Sequence, residues 1–145
     1  MLLPEYISID EVQRVCREIG LSDWTTTAEP DVTIEEARII LGLVNIEGMD
    51  IDPEEFRDGL EVELEHGLRF ADANVTNNHP VLTGKIVLAH LKESLYYYRL
   101  LEVAELEGDL LKAIAAGKSE KTTSVYKRLI AARNRLSQTE EKRLS

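Results

Sequence analysis

Apolar residues recur along this chain at spacings of three and four, and strict alternation is carried nowhere, so the pattern predicts helices throughout. Val12, Val15, Cys16 and Ile19 mark the first stripe. Ser8 followed by Glu11 has the form of a capping box at its start, and Gly20 with Leu21 supplies a left-handed stop and its apolar partner. The next stretch, Ser22 to Asp31, is rich in Thr and Asp and contains Pro30; it reads as a loop that Trp24 pins to the core. A second capping box, Thr33 with Glu36, opens a helix carrying Ile34, Ala37, Ile40 and Leu41, and Gly42 and Gly48 bracket its end. Asp52-Pro53-Glu54-Glu55 is a third start, with an N-cap, a proline at the first helical position and carboxylates facing the positive end of the dipole. That helix is expected to run to about His66, where Gly67 stops or loosens it.

Between Ala71 and Thr83 the chain is dense in Asn, Asp, Thr and Pro, a loop in which Asn74, Thr76 and Asn77 can bond nearby backbone. His79, in front of Pro80, is expected to be exposed there. From about Thr83 one long helix is predicted past Tyr98 to about Ala116, with Gly108 a candidate kink and Gly117 the end. The last helix, about Ser119 to Arg143, places Val125, Leu129, Ala132 and Leu136 on one face. The fold class is therefore all-α: a compact bundle of about five helices with an appended basic C-terminal helix. The organisation expected is an N-terminal helix and loop (1–30), a core helical domain (31–117) and the basic helix (118–145).

Charge changes this picture more than length does. The chain has 145 residues, one ordinary domain, and a net charge of −10 that is unevenly spread. Residues 118–145 hold eight basic and three acidic side chains, a local charge of +5, so the remainder carries −15. An acidic body repels a phosphate backbone, which argues against nucleic-acid binding except through the basic tail. The tail suits an acidic protein surface, including the body of a neighbouring copy. A single cysteine, Cys16, excludes an internal disulfide and sits in the first apolar stripe as a small core residue. The start Met1-Leu2-Leu3-Pro4-Glu5 lacks the features of a signal peptide, and no stretch approaches the roughly 20 apolar residues that span a bilayer. A cytoplasmic or virion setting is expected, with no membrane.

Two helices each carry a histidine and a carboxylate three residues apart: Glu63 with His66, and His90 with Glu93. That spacing puts each pair on one helix face. Glu63 shares its face with Phe56 and Leu60, and His90 with Ile86 and Val87, so both pairs are expected to be buried. Four such ligands converging would suit Zn, Fe or Mn, and Glu-x-x-His is the element of helical di-metal sites. The further glutamates such a site needs (Glu61, Glu65, Glu102, Glu105) lie elsewhere around their helices. The competing expectation is a buried polar network that fixes one packing arrangement, with no cofactor. Tyr96, Tyr97 and Tyr98 are consecutive and cannot share one helix face, which marks them as a protein-interface candidate. Thr83-Gly84-Lys85 resembles the end of a phosphate-binding loop but lacks its first glycine and the hydroxyl after the lysine. No catalytic residues are assigned.

The run Phe56-Arg57-Asp58-Gly59-Leu60-Glu61-Val62-Glu63-Leu64-Glu65-His66-Gly67 resembles a small uncharacterised domain family of bacteria, archaea and phages. So do Asn74-Val75-Thr76, Thr83-Gly84-Lys85-Ile86, Ala89-His90-Leu91-Lys92-Glu93 and Tyr97-Tyr98, in that order, over about residues 31–107. Family members carry an aspartate just before the tyrosine pair; Leu95-Tyr96 stands there here, which weakens any reading that needs an extra carboxylate near His90. The resemblance implies a domain and no reaction. The function expected is a non-enzymatic structural or assembly protein working through protein contacts and self-association, with a head-tail connector or head-associated virion component as the specific candidate. The alternatives are a metal-binding helical protein with hydrolase or redox activity, and a regulatory module acting through the basic tail.

Overall fold

A computed structural model gives the fold and describes residues 7–145. The Met1–Glu5 start discussed above lies outside the described residues. Among those described, six α-helices and one short 3-10 helix form an all-α protein without strands: α1 Ile9–Ile19, α2 Ile34–Val44, α3 Pro53–Arg69, the 3-10 turn Ala71–Ala73, α4 Pro80–Glu93, α5 Tyr97–Ala115 and α6 Ser119–Leu144. The chain divides into two compact units, Met1–Glu93 and Ser94–Ser145.

The helix starts follow the side chains that cap them. Ser8 accepts from the Glu11 N–H at α1, Thr33 and Glu36 form a full reciprocal box at α2, and Asp52 accepts from Glu54 N–H in front of Pro53 at α3. Gly20 closes α1 in the left-handed conformation, its N–H bonded to the Cys16 carbonyl. Glu36 does more than cap. Its buried carboxylate also accepts from the Ser22 N–H at 3.0 Å and the Ser22 hydroxyl at 2.6 Å, tying the loop after α1 to the start of α2. Burial by itself would raise its pKa, but the hydrogen bonds from Ser22 and Thr33 outweigh that and hold it below the usual carboxylate value.

In the first unit α2, α3 and α4 pack against one another and α1 against α4. Val12, Cys16, Trp24, Ile40, Phe56, Leu60, Leu64, Val87 and Leu91 are buried between them, so Cys16 and Trp24 are core residues as their spacing and setting predict. Burial raises the Cys16 thiol pKa, which keeps it in its unreactive protonated form. The tightest approach is at Gly84 of α4. A Cβ there would lie 2.4 Å from Ile40 Cγ2 on α2 and 3.5 Å from both Phe56 Cζ and Val44 Cγ1. Thr83-Gly84-Lys85 is thus a helix-crossing element, and its glycine serves packing.

The helix expected from Thr83 to Ala116 is two helices. α4 begins three residues earlier, at Pro80, and ends at Glu93. Ser94 then makes a turn in which its hydroxyl accepts from the Tyr96 N–H and its carbonyl from the Tyr97 N–H. A serine side chain that offers the backbone a local partner competes with helix continuation, and three successive tyrosines add little helix propensity against it. Gly108, the candidate kink, lies inside the continuous α5.

In the second unit α5 and α6 pair as a hairpin turned at Gly117. Leu106, Val125, Leu129 and Ala132 form its buried cluster, flanked by Val103 and Leu110. Arg133 meets Glu107 and Arg135 meets Glu102, so position numbers fall on α5 as they rise on α6 and the helices run antiparallel. Tyr98 is buried, Tyr96 and Tyr97 are half-buried, and the Arg143 guanidinium lies over the Tyr96 ring at 5.4 Å.

The Gly84 crossing predicts opposite outcomes for two Gly→Ala changes. Gly84→Ala should destabilise the protein by about 1–3 kcal/mol, because buried, β-branched Ile40 cannot easily yield. Gly42→Ala, in the last turn of α2 with open space around it, should stabilise by up to about 1 kcal/mol. Urea unfolding of the two variants checks both signs.

Candidate functional site

The two histidine–carboxylate pairs converge on one carboxylate. Glu63 on α3 stands between two imidazoles: its Oε2 is 3.8 Å from His66 Nδ1 and its Oε1 is 3.6 Å from His90 Nε2 on α4. These separations exceed ordinary hydrogen-bond lengths and correspond to charge contacts that strengthen when either imidazole is protonated. Glu93 is the last residue of α4 and is exposed. So the structure gathers Glu63, His66 and His90, with Glu63 rather than Glu93 as the carboxylate facing His90. Among the described residues, no group of three or more His, Cys, Asp or Glu is disposed to hold a metal ion.

The group lies on the rim of the first unit, where burial was expected. Glu63, His66 and His90 have side chains 16%, 46% and 33% exposed. The reason is angular. The buried stripe of α3 is Phe56, Leu60 and Leu64, and that of α4 is Pro80, Gly84, Val87 and Leu91. His66 and His90 stand about 80° from Phe56 and Pro80 around their helices, at the edge of each buried stripe, while Glu63, about 20° from Phe56, stays within its stripe and is the least exposed of the three. Glu61, on the far side of Glu63, accepts from the Val32 N–H at 3.2 Å and fixes the chain entering α2; burial raises its pKa.

The loop that precedes α4 is built around a second close approach. Asn74 donates to the Gly67 carbonyl at 3.3 Å and to Asn78 Oδ1 at 2.8 Å. A Cβ on Gly67 would lie 2.3 Å from Asn78 Oδ1, so only glycine leaves room for this pair on α3. Asn77 and Asn78 both have positive φ, a conformation asparagine tolerates better than other side chains. Asn77 also donates to the Ile7 carbonyl. The loop then delivers His79, which is not exposed as expected but buried, at 8%. Its Nδ1 accepts from the Leu82 N–H at 3.4 Å and its carbonyl from the Thr83 N–H at 2.9 Å, so His79 caps α4. The signal for this was its place directly before a helix-opening proline.

His79 must be neutral to accept through Nδ1. Burial pushes its pKa below the ordinary 6.5, the nearby Glu11 carboxylate opposing and Arg14 assisting. A histidine depressed in the folded state contributes stability that is full above its unfolded pKa and is lost as the pH falls, because the unfolded chain takes up the proton first. His79→Asn keeps a capping acceptor and removes the titration. It should therefore flatten the decline in stability between about pH 7 and about pH 5.5, measured by denaturant unfolding at each pH; an unchanged decline would refute the assignment.

The geometry gives the motif residues structural tasks: Gly67 seats two asparagines, His79 caps, Gly84 permits the crossing, and Glu63 joins α3 to α4 through His90. Comparison with known proteins agrees on the family and adds no activity. No curated protein and no solved structure matches the chain. The family described as "Protein of unknown function (DUF5661)" matches residues 12–107, beginning inside α1, which the resemblance over about 31–107 had left out, and ending inside α5. The chain belongs to this DUF5661 family.

Proposed function

We propose that this chain is a non-enzymatic structural or assembly protein that works through protein–protein contacts, in a cytoplasmic or virion setting, with a head-tail connector or head-associated virion protein as the specific candidate. The observation that carries this reading is the surface of the second unit. Leu111, Ile114 and Tyr126 on the α5–α6 hairpin are 68%, 57% and 51% exposed, an apolar display that interaction surfaces use. Two further features support it. The motif residues are occupied in holding the fold, and the charge split between an acidic body and a +5 stretch that contains α6 favours contacts between unlike surfaces of successive copies or partners. Arg143 over Tyr96 places the basic end of α6 against the tyrosine segment, so the two partner-contact candidates form one region. Fractionation of extract from the native source should find the chain in a particle larger than the free 16.4 kDa protein. Recovery wholly as free chain would contradict the reading.

A second reading rests on Glu63 standing between two imidazoles. A protein of this kind could take Zn, Fe or Mn through Glu63, His66 and His90, with Glu93 one turn away, and act as a hydrolase or redox enzyme. Elemental analysis of protein purified without chelator separates the two. The assembly reading predicts less than about a tenth of an equivalent of these metals, whereas a stoichiometric metal lost on His90→Ala would establish the second.

A further inference from the structure

The α5–α6 hairpin has two unlike sides. A helical step of about 100° per residue puts Leu100, Leu111 and Ile114 on the same flank of α5 as Glu107, and Tyr126 and Ile130 on the same flank of α6 as Arg133. Glu107 and Arg133 pair across the hairpin at 2.9 Å, so these two flanks share one side. Glu102 and Arg135, roughly 140–160° further round their helices, pair across the other. All five apolar residues are exposed. Lys121, Arg128, Arg135 and Lys142, at seven-residue intervals, form a basic row on the opposite side.

Resting on the assembly reading, we propose that the apolar side of this hairpin is covered by the same side of a second copy, two hairpins closing into a four-helix bundle about a two-fold axis. Charge selects the occupant. Between Glu107 and Ile114 on α5 and between Tyr126 and Arg133 on α6, the charged side chains of this side are Glu107 and Arg133, which neutralise each other. Two copies therefore meet over this central stretch without like-charge repulsion although each carries −10 overall; Glu140, seven residues past Arg133, shares the flank only at its Leu100 end. A strongly acidic partner would be drawn to the basic row on the other side. Architecture points the same way. A helical hairpin is a single layer whose buried cluster here is Leu106, Val125, Leu129 and Ala132, and a second hairpin supplies the missing layer. The face from Leu100 to Ile114 is about 20 Å long and two helices wide, so pairing buries on the order of 1,000 Å² in total, the lower end for a specific interface.

Sedimentation equilibrium of the purified full-length chain tests this. The expected result is twice the 16.4 kDa chain mass for the wild type. The double variant Leu111→Glu/Ile130→Glu should dimerise at least about 100-fold more weakly with unchanged helix content, while Lys121→Glu/Arg128→Glu, on the other side, should leave the dimer intact. A wild type that stays monomeric at about 100 µM overturns the second-copy proposal whatever the variants do. So does a dimer that survives the double variant. Neither outcome touches the assembly reading, which fractionation of the native extract decides separately. If the double variant loses helix content, Tyr126→Ser takes its place, and the same weakening is required of it.

Discussion

The first unit depends on α4 lying against α2 with no side chain between them at Gly84. Burial of Val87 and Leu91 needs α4 close to Ile40 and Phe56, and the 2.4 Å that a Cβ would find to Ile40 shows how little room the crossing leaves. Everything contributed by α4 inherits its position from that contact. Val87 and Leu91 complete the core, and His90 comes within reach of Glu63. His79 must begin the helix where the crossing requires it. A helix held this closely also needs its start fixed, which explains the effort spent on the preceding loop: Asn74 and Asn78 against Gly67, two residues of positive φ, and a buried histidine accepting the Leu82 N–H.

Seen this way, the motif residues divide by task. Glycines mark close approaches, asparagines replace backbone partners in an irregular loop, and the carboxylates of Glu36 and Glu61 gather N–H groups of neighbouring segments. Such buried polar networks specify one arrangement more than they add stability. The Glu63–His66–His90 group sets one carboxylate of α3 within 4 Å of an imidazole on α3 and another on α4. The interaction surface of the proposed function lies elsewhere, on a hairpin whose second helix falls outside the matched residues 12–107.

Much of the fold was legible from residues alone because its signals are local. Ser8, Thr33 and Asp52 cap within three residues of themselves, and the apolar stripes of α1, α3 and α6 need only a period. Features that depend on a distant partner were not legible. Ser22 reaching Glu36 spans fourteen positions, and Gly84 is recognisable as a crossing only once Ile40 is known to oppose it. The break at Ser94 was hidden because an apolar period continues through Leu91, Leu95 and Tyr98, while the competing turn rests on one hydroxyl. For the candidate site, the pairing of residues on α3 and α4 was legible and its depth was not. His66 and His90 sit at the edges of the buried stripes, about 80° from Phe56 and Pro80, and spacing alone does not decide whether an edge position is covered.

The close crossing is tested most directly by a double-mutant cycle between Gly84→Ala and Ile40→Leu, since leucine keeps the volume of Ile40 and removes the Cγ2 methyl that the new Cβ would strike. If this contact sets the position of α4, the alanine should cost at least about 1 kcal/mol less in the leucine background than in the wild type. Strictly additive losses would mean that the crossing is not where the structure places its constraint.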